Sequence, residues 1–462
     1  MNRLFISAAH KSSGKTTLSI GLCAAMVERG HIVQPFKKGP DYIDPIWLSA
    51  ASGRACHNLD FNTMTNDEIL HTLQLYSDRA DINVIEANKG LFDGVALDGS
   101  DSNAAIAKLS NSPVILVINT VGTTRGVAPL LLGYQAFDPE IKIAGVIYNL
   151  VGGARHESKL LKVTETYTDI PVLGAVHKNP EMEIEERHLG LMPSNEASEA
   201  KQQIHTISKL VADQVNLDSL ISIAKQSEEL PPFSHAFPPI KQQTPKVKIA
   251  VCQDPSFGFY YAGDLEALAT AGAEIVPVNT LIDSELPDVD GLFIGGGFPE
   301  TQMDKLANNL SMRNSIKQAI DSGLPTYAEC GGLMYLAEKL IWKNKTAEMV
   351  GVIPANAVMH TKPQGRGYIK LAETENMPWG DKKMSSDIIN AHEFHYSKLE
   401  GLKVKGDFAY KVLRGQGIDG KNDGWLYKNL LASYAHMRDT SQHHWAQRFV
   451  NFVRDKKVQR KV

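Results

Sequence analysis

The stretch Leu4-Phe5-Ile6-Ser7-Ala8-Ala9-His10-Lys11-Ser12-Ser13-Gly14-Lys15-Thr16-Thr17 decides the fold of the first half of the chain. Leu4 to Ala8 reads as a buried strand, a loop of small residues follows, and Thr16 to Arg29 reads as a helix closed by Gly30. That order is the context of a P-loop, because the loop's N–H groups and the helix N-terminus then point at phosphate. Gly14, Lys15, Thr16 and Thr17 are the expected nucleotide-binding residues, with Lys15 as a mobile cation and the Thr16 hydroxyl as a magnesium ligand. The bland alternative is a helix N-cap built from small residues. Ala9 stands where the first glycine is usual, so this position must not need a positive φ.

Further strands are expected at Ile32 to Phe36, Asn83 to Glu86, Val114 to Ile118 and Ala144 to Tyr148, alternating with amphipathic stretches. This is the pattern of a parallel sheet covered by helices. Acidic residues cluster where those strands end: Asp41 and Asp44 after the second, Glu86 at the close of the third, and Asp93 in the turn Gly90-Leu91-Phe92-Asp93-Gly94. Open parallel sheets bind ligands at the carboxyl ends of their strands, so Thr16, Glu86 and Asp41 are expected to gather the nucleotide's Mg²⁺. Asp41 and Asp93 could instead only make turns. Asn149 is a weaker candidate for adenine recognition, with a turn role as its alternative.

With 462 residues the chain exceeds what one hydrophobic core usually organises, so two domains are expected. Residues 1–226 form the first, the proline-rich segment 227–246 reads as an extended linker, and 247–462 form the second. Charged residues nearly balance, giving a formal charge of -4, and this provides no overall footprint for nucleic acid or an anionic membrane. No run approaches the ~18 apolar residues of a membrane span, and a cytoplasmic location is the expectation. Cys23, Cys56, Cys252 and Cys330 are scattered without metal-ligand spacing, which argues against both a disulfide framework and a zinc site.

In the second half, strands are expected at Val247 to Val251, around Ile275 to Val278, from Gly291 and at Pro325 to Ala328, with a helix over Ala262 to Ala271. The turn Gly295-Gly296-Gly297 can present bare N–H groups to an oxyanion. The strand Pro325 to Ala328 delivers Cys330 between Glu329 and Gly331-Gly332, ahead of a helix expected over Leu333 to Lys339. Small residues around a nucleophile are what an elbow demands, and a following helix lowers a thiol's pKa through its N-terminal field. Cys23, Cys252 and Cys56 read as buried structural thiols.

A thiol nucleophile needs a base, and His436 stands at the end of an apolar strand. Many thiol amidotransferases place an acid two residues on. Here that residue is Arg438, with Asp439 one step further, so the third member of the triad stays open. His392-Glu393-Phe394-His395 has its histidines three apart, whereas a zinc protease needs them at i and i+4 of one helix, and it reads as strand or loop. His443-His444 reads as a solvated helix start.

Seven segments together resemble the cobyrinic acid a,c-diamide synthase family of glutamine-dependent amidotransferases. They are Gly14-Lys15-Thr16-Thr17, Gly39-Pro40-Asp41-Tyr42-Ile43-Asp44-Pro45, Gly90-Leu91-Phe92-Asp93-Gly94, Arg187-His188-Leu189-Gly190-Leu191, Gly295-Gly296-Gly297-Phe298-Pro299-Glu300, Ala328-Glu329-Cys330-Gly331-Gly332 and His392-Glu393-Phe394-His395-Tyr396. They occur in family order along nearly the whole chain. The resemblance implies a two-domain α/β protein: a P-loop domain similar to dethiobiotin synthetase, then a class I glutamine amidotransferase domain. It implies that Cys330 and His436 hydrolyse glutamine with an oxyanion hole at Gly296 and Gly331. It also implies that Lys15, Thr16 and Glu86 hold ATP and Mg²⁺, while Asp41, Tyr42, Asp44 and Asp93 line the transfer centre. The implied partners are ATP, glutamine and an anionic tetrapyrrole whose acetate side chains are amidated, cobyrinate in cobalamin biosynthesis foremost, with a homodimer as the prior.

Some positions depart from the family pattern. Ala87-Asn88-Lys89 replaces the usual residues after Glu86, and Leu48 stands where a histidine is common. Gly99 to Ala104 and Arg125 to Pro129 resemble a branch of sulfur-oxidising bacteria held to amidate sirohaem or a sirohydrochlorin-type tetrapyrrole. A partitioning-type P-loop ATPase, or a regulator with an inactive glutaminase domain, is the alternative from another class.

Overall fold

The computed structural model describes residues 1–187, 190–194, 199–232, 234, 246–379, 388–402 and 406–460. The chain divides into two compact units, Met1–Phe237 and Pro238–Val462. His188 and Leu189 of one quoted motif, and most of the expected linker, lie outside the described residues.

The first unit is built on a seven-stranded sheet in the order His57–Leu59, Val33–Lys38, Ile82–Glu86, Arg3–Ala8, Val114–Asn119, Ile143–Val151, Val172–His177. Every pairing in it is parallel. The strands Arg3–Ala8 and Val33–Lys38 are buried along their whole length, the first as a nearly apolar run and the second with Gln34, Lys37 and Lys38 buried among its apolar residues. The helix Lys15–Glu28 follows a Gly14 in the left-handed region, φ 77°. Val33–Lys38 runs two residues beyond its expected end and so carries Lys37 to the carboxyl edge of the sheet.

Residues expected in an extended linker begin as part of this unit. The Ser227 hydroxyl donates to the Arg3 carbonyl at 2.8 Å, the Arg3 guanidinium reaches the Glu228 carbonyl, and Leu230 packs on the core. A segment rich in proline can still dock when its carbonyls find donors, and here a buried arginine provides them.

In the second unit a nine-stranded sheet has the order Ala273–Val278, Val247–Cys252, Gly291–Ile294, Thr326–Glu329, Leu430–Ser433, Asn422–Tyr427, Asp407–Arg414, Gly365–Glu373, Ile389–His395. Its first five strands are parallel and the remainder antiparallel. One face is closed by aromatic packing, with Phe293 stacked on Tyr327 at 5.3 Å between ring centroids and Trp445 edge-on at 5.4 Å. A four-stranded sheet, ordered Lys345–Glu348, Ala337–Trp342, Ile353–Met359, Ser397–Glu400, flanks it.

The helix expected over Leu333 to Lys339 is instead Gly331–Leu336, and Ala337–Trp342 is a strand. Ala-Glu-Lys-Leu favours helix locally, but Lys343 and Asn344 both take positive φ, 49° and 62°, and close a two-residue hairpin onto Lys345–Glu348. Two consecutive left-handed residues match the right-handed twist of paired strands, and that pairing overrides propensity. Among the described residues no helix is long and apolar enough to cross a membrane.

Candidate active site

At the carboxyl edge of the first sheet, the P-loop is shaped by Ser12 and Gly14, both at positive φ (62° and 77°), whereas Ala9 is not among the positive-φ residues, as expected for alanine in the place of the first glycine. The Asn149 amide donates to the Ser13 carbonyl at 2.9 Å and lies against Gly14, so tightly that a Cβ there would collide with it. Asn149 therefore braces the loop from the end of a neighbouring strand, a place the sequence had suggested for adenine contact.

Beside the loop lies a compact charge cluster. The Lys15 ammonium pairs with Glu86, and the Thr16 hydroxyl donates to Glu86 at 2.7 Å and to Asp44 at 3.1 Å. Lys37, almost wholly buried, lies 2.5 Å from Asp44, 3.1 Å from Glu86 and 3.8 Å from Asp41. Two cations thus face three carboxylates, two that follow Val33–Lys38 and one that ends Ile82–Glu86. Burial acts to lower the Lys37 pKa, but the three carboxylates outweigh it and hold the ammonium charged well above its usual range. Burial lowers Lys15, opposed by Glu86. Asp41 is pushed up to about 6 by burial and by Asp44, while Asp44, in spite of burial, is held low by Lys37 and Lys15.

The donor set bears on magnesium. Glu86 Oε2 is buried without a hydrogen-bond partner, and Thr16 and Asp44 add only oxygens, which is the chemistry of a hard cation. Among the described residues no group of three or more His, Cys, Asp or Glu is arranged to hold a metal alone. Mg²⁺ commonly takes one or two carboxylates and completes its shell with substrate phosphates and water, so the residues fit it as a partner of bound nucleotide.

Not every expected transfer-centre residue joins this cluster. Asp41 does, through Lys37 and by accepting the Asp44 N–H at 3.1 Å. Tyr42 is buried at the start of the helix Ile43–Ser52. Asp93 is exposed and accepts the Gly90 N–H at 2.9 Å, which is the turn role weighed for it. Lys37 went unassigned in the sequence; its signal is the pair Lys37-Lys38 closing a buried strand just ahead of Gly39-Pro40-Asp41.

In the second unit, Cys330 is the pivot between the strand Thr326–Glu329 and the short helix Gly331–Leu336, at φ 46° and ψ -99°. A non-glycine residue held there is strained, as expected of a nucleophile elbow. Its N–H donates to Ser433 at 2.7 Å, continuing the parallel pairing of Glu329 with Ser433. The next strand end therefore sends its chain, through His436, past the same edge.

Glycines complete the assembly. A Cβ on Gly296 would lie 2.5 Å from His436 Cε1, and a Cβ on Gly331 would lie 2.9 Å from the Gly297 nitrogen. The imidazole thus rests on the Gly296 turn, and that turn meets the residue after the cysteine. Gly296 is itself pinned, its carbonyl accepting from Phe259 at 3.1 Å. A Cβ on Gly332 would strike the Ile294 carbonyl, backbone that cannot swing aside. Gly332→Ala is expected to cost about 1–3 kcal/mol, read as a lower urea midpoint of the full chain.

The thiol's electrostatics correct one expectation. Burial, with Glu300 and Glu329 nearby, raises the Cys330 pKa, and a six-residue helix does not overcome it. The resting group is a thiol, and a base must take its proton. Burial pushes His436 down to about 3, so it rests neutral and able to accept. Its ring stacks on His392, centroids 4.9 Å apart, and each residue's N–H points at the other's carbonyl, at 2.8 and 3.4 Å. The motif His392 to His395 is thus a strand that walls the candidate base. Glu329 Oε2 lies 3.4 Å from His436 Nδ1. Asp439 does not serve there: it accepts the Ala446 N–H at 2.9 Å and caps the helix Trp445–Arg460, while Arg438 lies over the Tyr261 ring at 5.0 Å. His443 is buried, 3.7 Å from Glu373, rather than solvated; only His444 is exposed.

A cobyrinate a,c-diamide synthase of Magnetococcus marinus is 44% identical over 459 residues, covering 98% of this chain and 97% of that protein. The chain belongs to the cobyrinate a,c-diamide synthase family. Other members similar to it come from Methanosarcina acetivorans, 40% identical over 94% of this chain and 92% of that protein, and Archaeoglobus fulgidus, 40% identical over 98% of each. Residues 5–191 match the CobQ/CobB/MinD/ParA nucleotide binding domain and 248–443 match the CobB/CobQ-like glutamine amidotransferase domain. In this cobyrinate a,c-diamide synthase family member, the charge cluster falls in the first matched region and the elbow in the second.

Proposed function

We propose that this chain is an ATP- and glutamine-dependent ligase that converts acetate carboxylates of a tetrapyrrole, cobyrinate, into amides at the a and c positions. The observation that carries the reading is the coexistence, in one family member, of a phosphate loop ringed by carboxylates and lysines with a strained cysteine and a neutral imidazole carried at the same edge of the second sheet.

Cys330 gives its proton to His436 as sulfur bonds to the glutamine side-chain carbon; the proton then passes to the departing nitrogen, leaving a thioester and ammonia. The Gly296 and Gly331 backbone amides are proposed to stabilise the tetrahedral oxyanion. In the first unit, Gly14, Lys15, Thr16 and Thr17 would hold ATP, with Asn149 bracing the loop from below. A free carboxylate has no adequate leaving group, so the γ-phosphoryl is transferred to it, and ammonia then displaces phosphate from the acyl phosphate. Thr16, Glu86 and Asp44, with Asp41 close by, would hold Mg²⁺, which neutralises phosphate charge. Lys37 and Lys15 keep the three carboxylates compatible with an anionic substrate, and Tyr42, Asp41 and Asp44 are proposed to orient the acetate.

Mass spectrometry of products formed from cobyrinate, and separately from sirohydrochlorin, with ATP, Mg²⁺ and glutamine tests the proposal. Two successive acid-to-amide conversions of cobyrinate are expected. Amidation of sirohydrochlorin alone would keep the chemistry and overturn the substrate.

A further inference from the structure

The usual place for the acid that orients a catalytic imidazole is taken here by Arg438, and Asp439 is occupied as a helix cap. We infer that Glu329, the residue immediately before the nucleophile, is the positioning acid of His436. This deepens the glutaminase reading above and rests on it.

The geometry is specific. Glu329 Oε2 stands 3.4 Å from His436 Nδ1, both side chains being nearly inaccessible to solvent. The other oxygen, Oε1, accepts the Tyr327 hydroxyl at 2.5 Å and the Met437 N–H at 2.9 Å. The Met437 bond ties the carboxyl to the residue following His436, so acid and imidazole are held together by backbone as well as by side chain. Every one of these bonds uses Glu329 as an acceptor, which leaves Oε2 fit to accept a proton-bearing Nδ1. A hydrogen bond formed across that 3.4 Å gap would fix the tautomer with Nε2 free, the form able to take the Cys330 proton.

Other buried acids at this edge have separate work. Asp423 accepts the Tyr434 and Ala435 N–H groups, each at 2.9 Å, and Asp264 accepts the Asp439 N–H and the Trp445 indole. The titratable and charged groups around the pair are Tyr327 and Cys330 beside Glu329, His392 and His395 across from His436, Asp264 on its own helix, and Arg438. Burial lifts the Glu329 carboxyl to about 8. Its acceptor form therefore grows as pH rises, and glutamine hydrolysis is expected to climb toward pH 8.

Strand adjacency explains how this arises. Thr326–Glu329 and Leu430–Ser433 are parallel neighbours in register, so the residue that closes one strand meets the turn that follows the other. An acid moved from the histidine's own segment to the cysteine's strand reaches the same imidazole nitrogen.

Glu329→Gln tests the assignment on the full-length protein. The amide retains one carbonyl oxygen for Tyr327 and Met437 but offers N–H to Nδ1, forcing the proton of His436 onto Nε2. Glutaminase kcat is expected to fall roughly 10²–10⁴-fold, with KM for glutamine and the thermal midpoint little moved. ¹⁵N NMR of histidine-labelled protein, recorded above pH 8 where Glu329 is the acceptor, is expected to show the Nδ1–H tautomer in the wild type and Nε2–H in the variant. Unchanged kcat, or one tautomer in both proteins, overturns the inference, as does a parallel collapse of KM and thermal midpoint, which marks a purely structural carboxylate. If the wild type itself releases no ammonia from glutamine, the glutaminase reading fails instead.

Discussion

Cys330→Ala is expected to abolish amidation from glutamine, lowering kcat roughly 10⁵-fold or more, while amidation supplied with an ammonium salt persists. The sulfur is the only atom of the elbow that can become a thioester, and its removal leaves the oxyanion donors without a bond to stabilise. The second nitrogen source isolates the defect, because free ammonia needs no thioester. Folding is not expected to suffer. Cys330 sits at φ 46°, a conformation equally strained for alanine, and its N–H bond to Ser433 does not involve the side chain. The assay is product formation with each nitrogen source at matched concentrations. A Cys330→Ala protein that still uses glutamine at the wild-type rate would overturn the nucleophile assignment.

The contrast between the two candidate centres shows what a sequence carries openly. Gly14-Lys15-Thr16 and Cys330-Gly331-Gly332 were legible because their geometry is local: a loop of small residues between strand and helix fixes its own backbone. Most of the parallel strands around each were also legible, since strands buried on both faces have little polar alternation to confuse them, whereas the antiparallel strands Gly365–Glu373, Asp407–Arg414 and Asn422–Tyr427 were not expected. Lys37 was not, for two physical reasons. Its strand runs two residues beyond the expected end at Phe36, and its three carboxylate partners come from the loop after that strand, the helix beginning at Ile43, and the end of Ile82–Glu86. Only the sheet order brings these together. Glu329 escaped for a related reason: attention falls naturally on the residues after His436, while its neighbour in space is fixed by strand pairing far away along the chain. Asp93 stands apart from both: its carboxylate is exposed and accepts the Gly90 N–H within its own glycine-bounded turn. The overrun of the expected helix into Ala337–Trp342 came from a hairpin whose two left-handed residues, Lys343 and Asn344, lack the glycine that would have announced it.

Lys15→Ala is expected to lower amidation roughly 10²–10³-fold with either nitrogen source, a pattern opposite to that of Cys330→Ala. Both nitrogen sources require the carboxylate to be phosphorylated first, and Lys15 is the mobile cation of the phosphate loop. Its removal should be read in activity rather than in stability. Glu86, its partner, keeps the Lys37 ammonium at 3.1 Å and the Thr16 hydroxyl at 2.7 Å, so no buried carboxylate is left bare. Lys37 is the cation on which that neutralisation depends: it faces Asp44, Glu86 and Asp41 together, and its loss would strand several buried charges, which costs about 3–5 kcal/mol. Lys37→Met is therefore expected to lower the urea midpoint where Lys15→Ala does not, although both silence amidation. Ammonia-supported rates and urea melts of the two variants together separate the roles. Equal midpoints for Lys15→Ala and Lys37→Met would show that the cluster tolerates losing either cation, and the division between a catalytic lysine and a charge-balancing one would have to be given up.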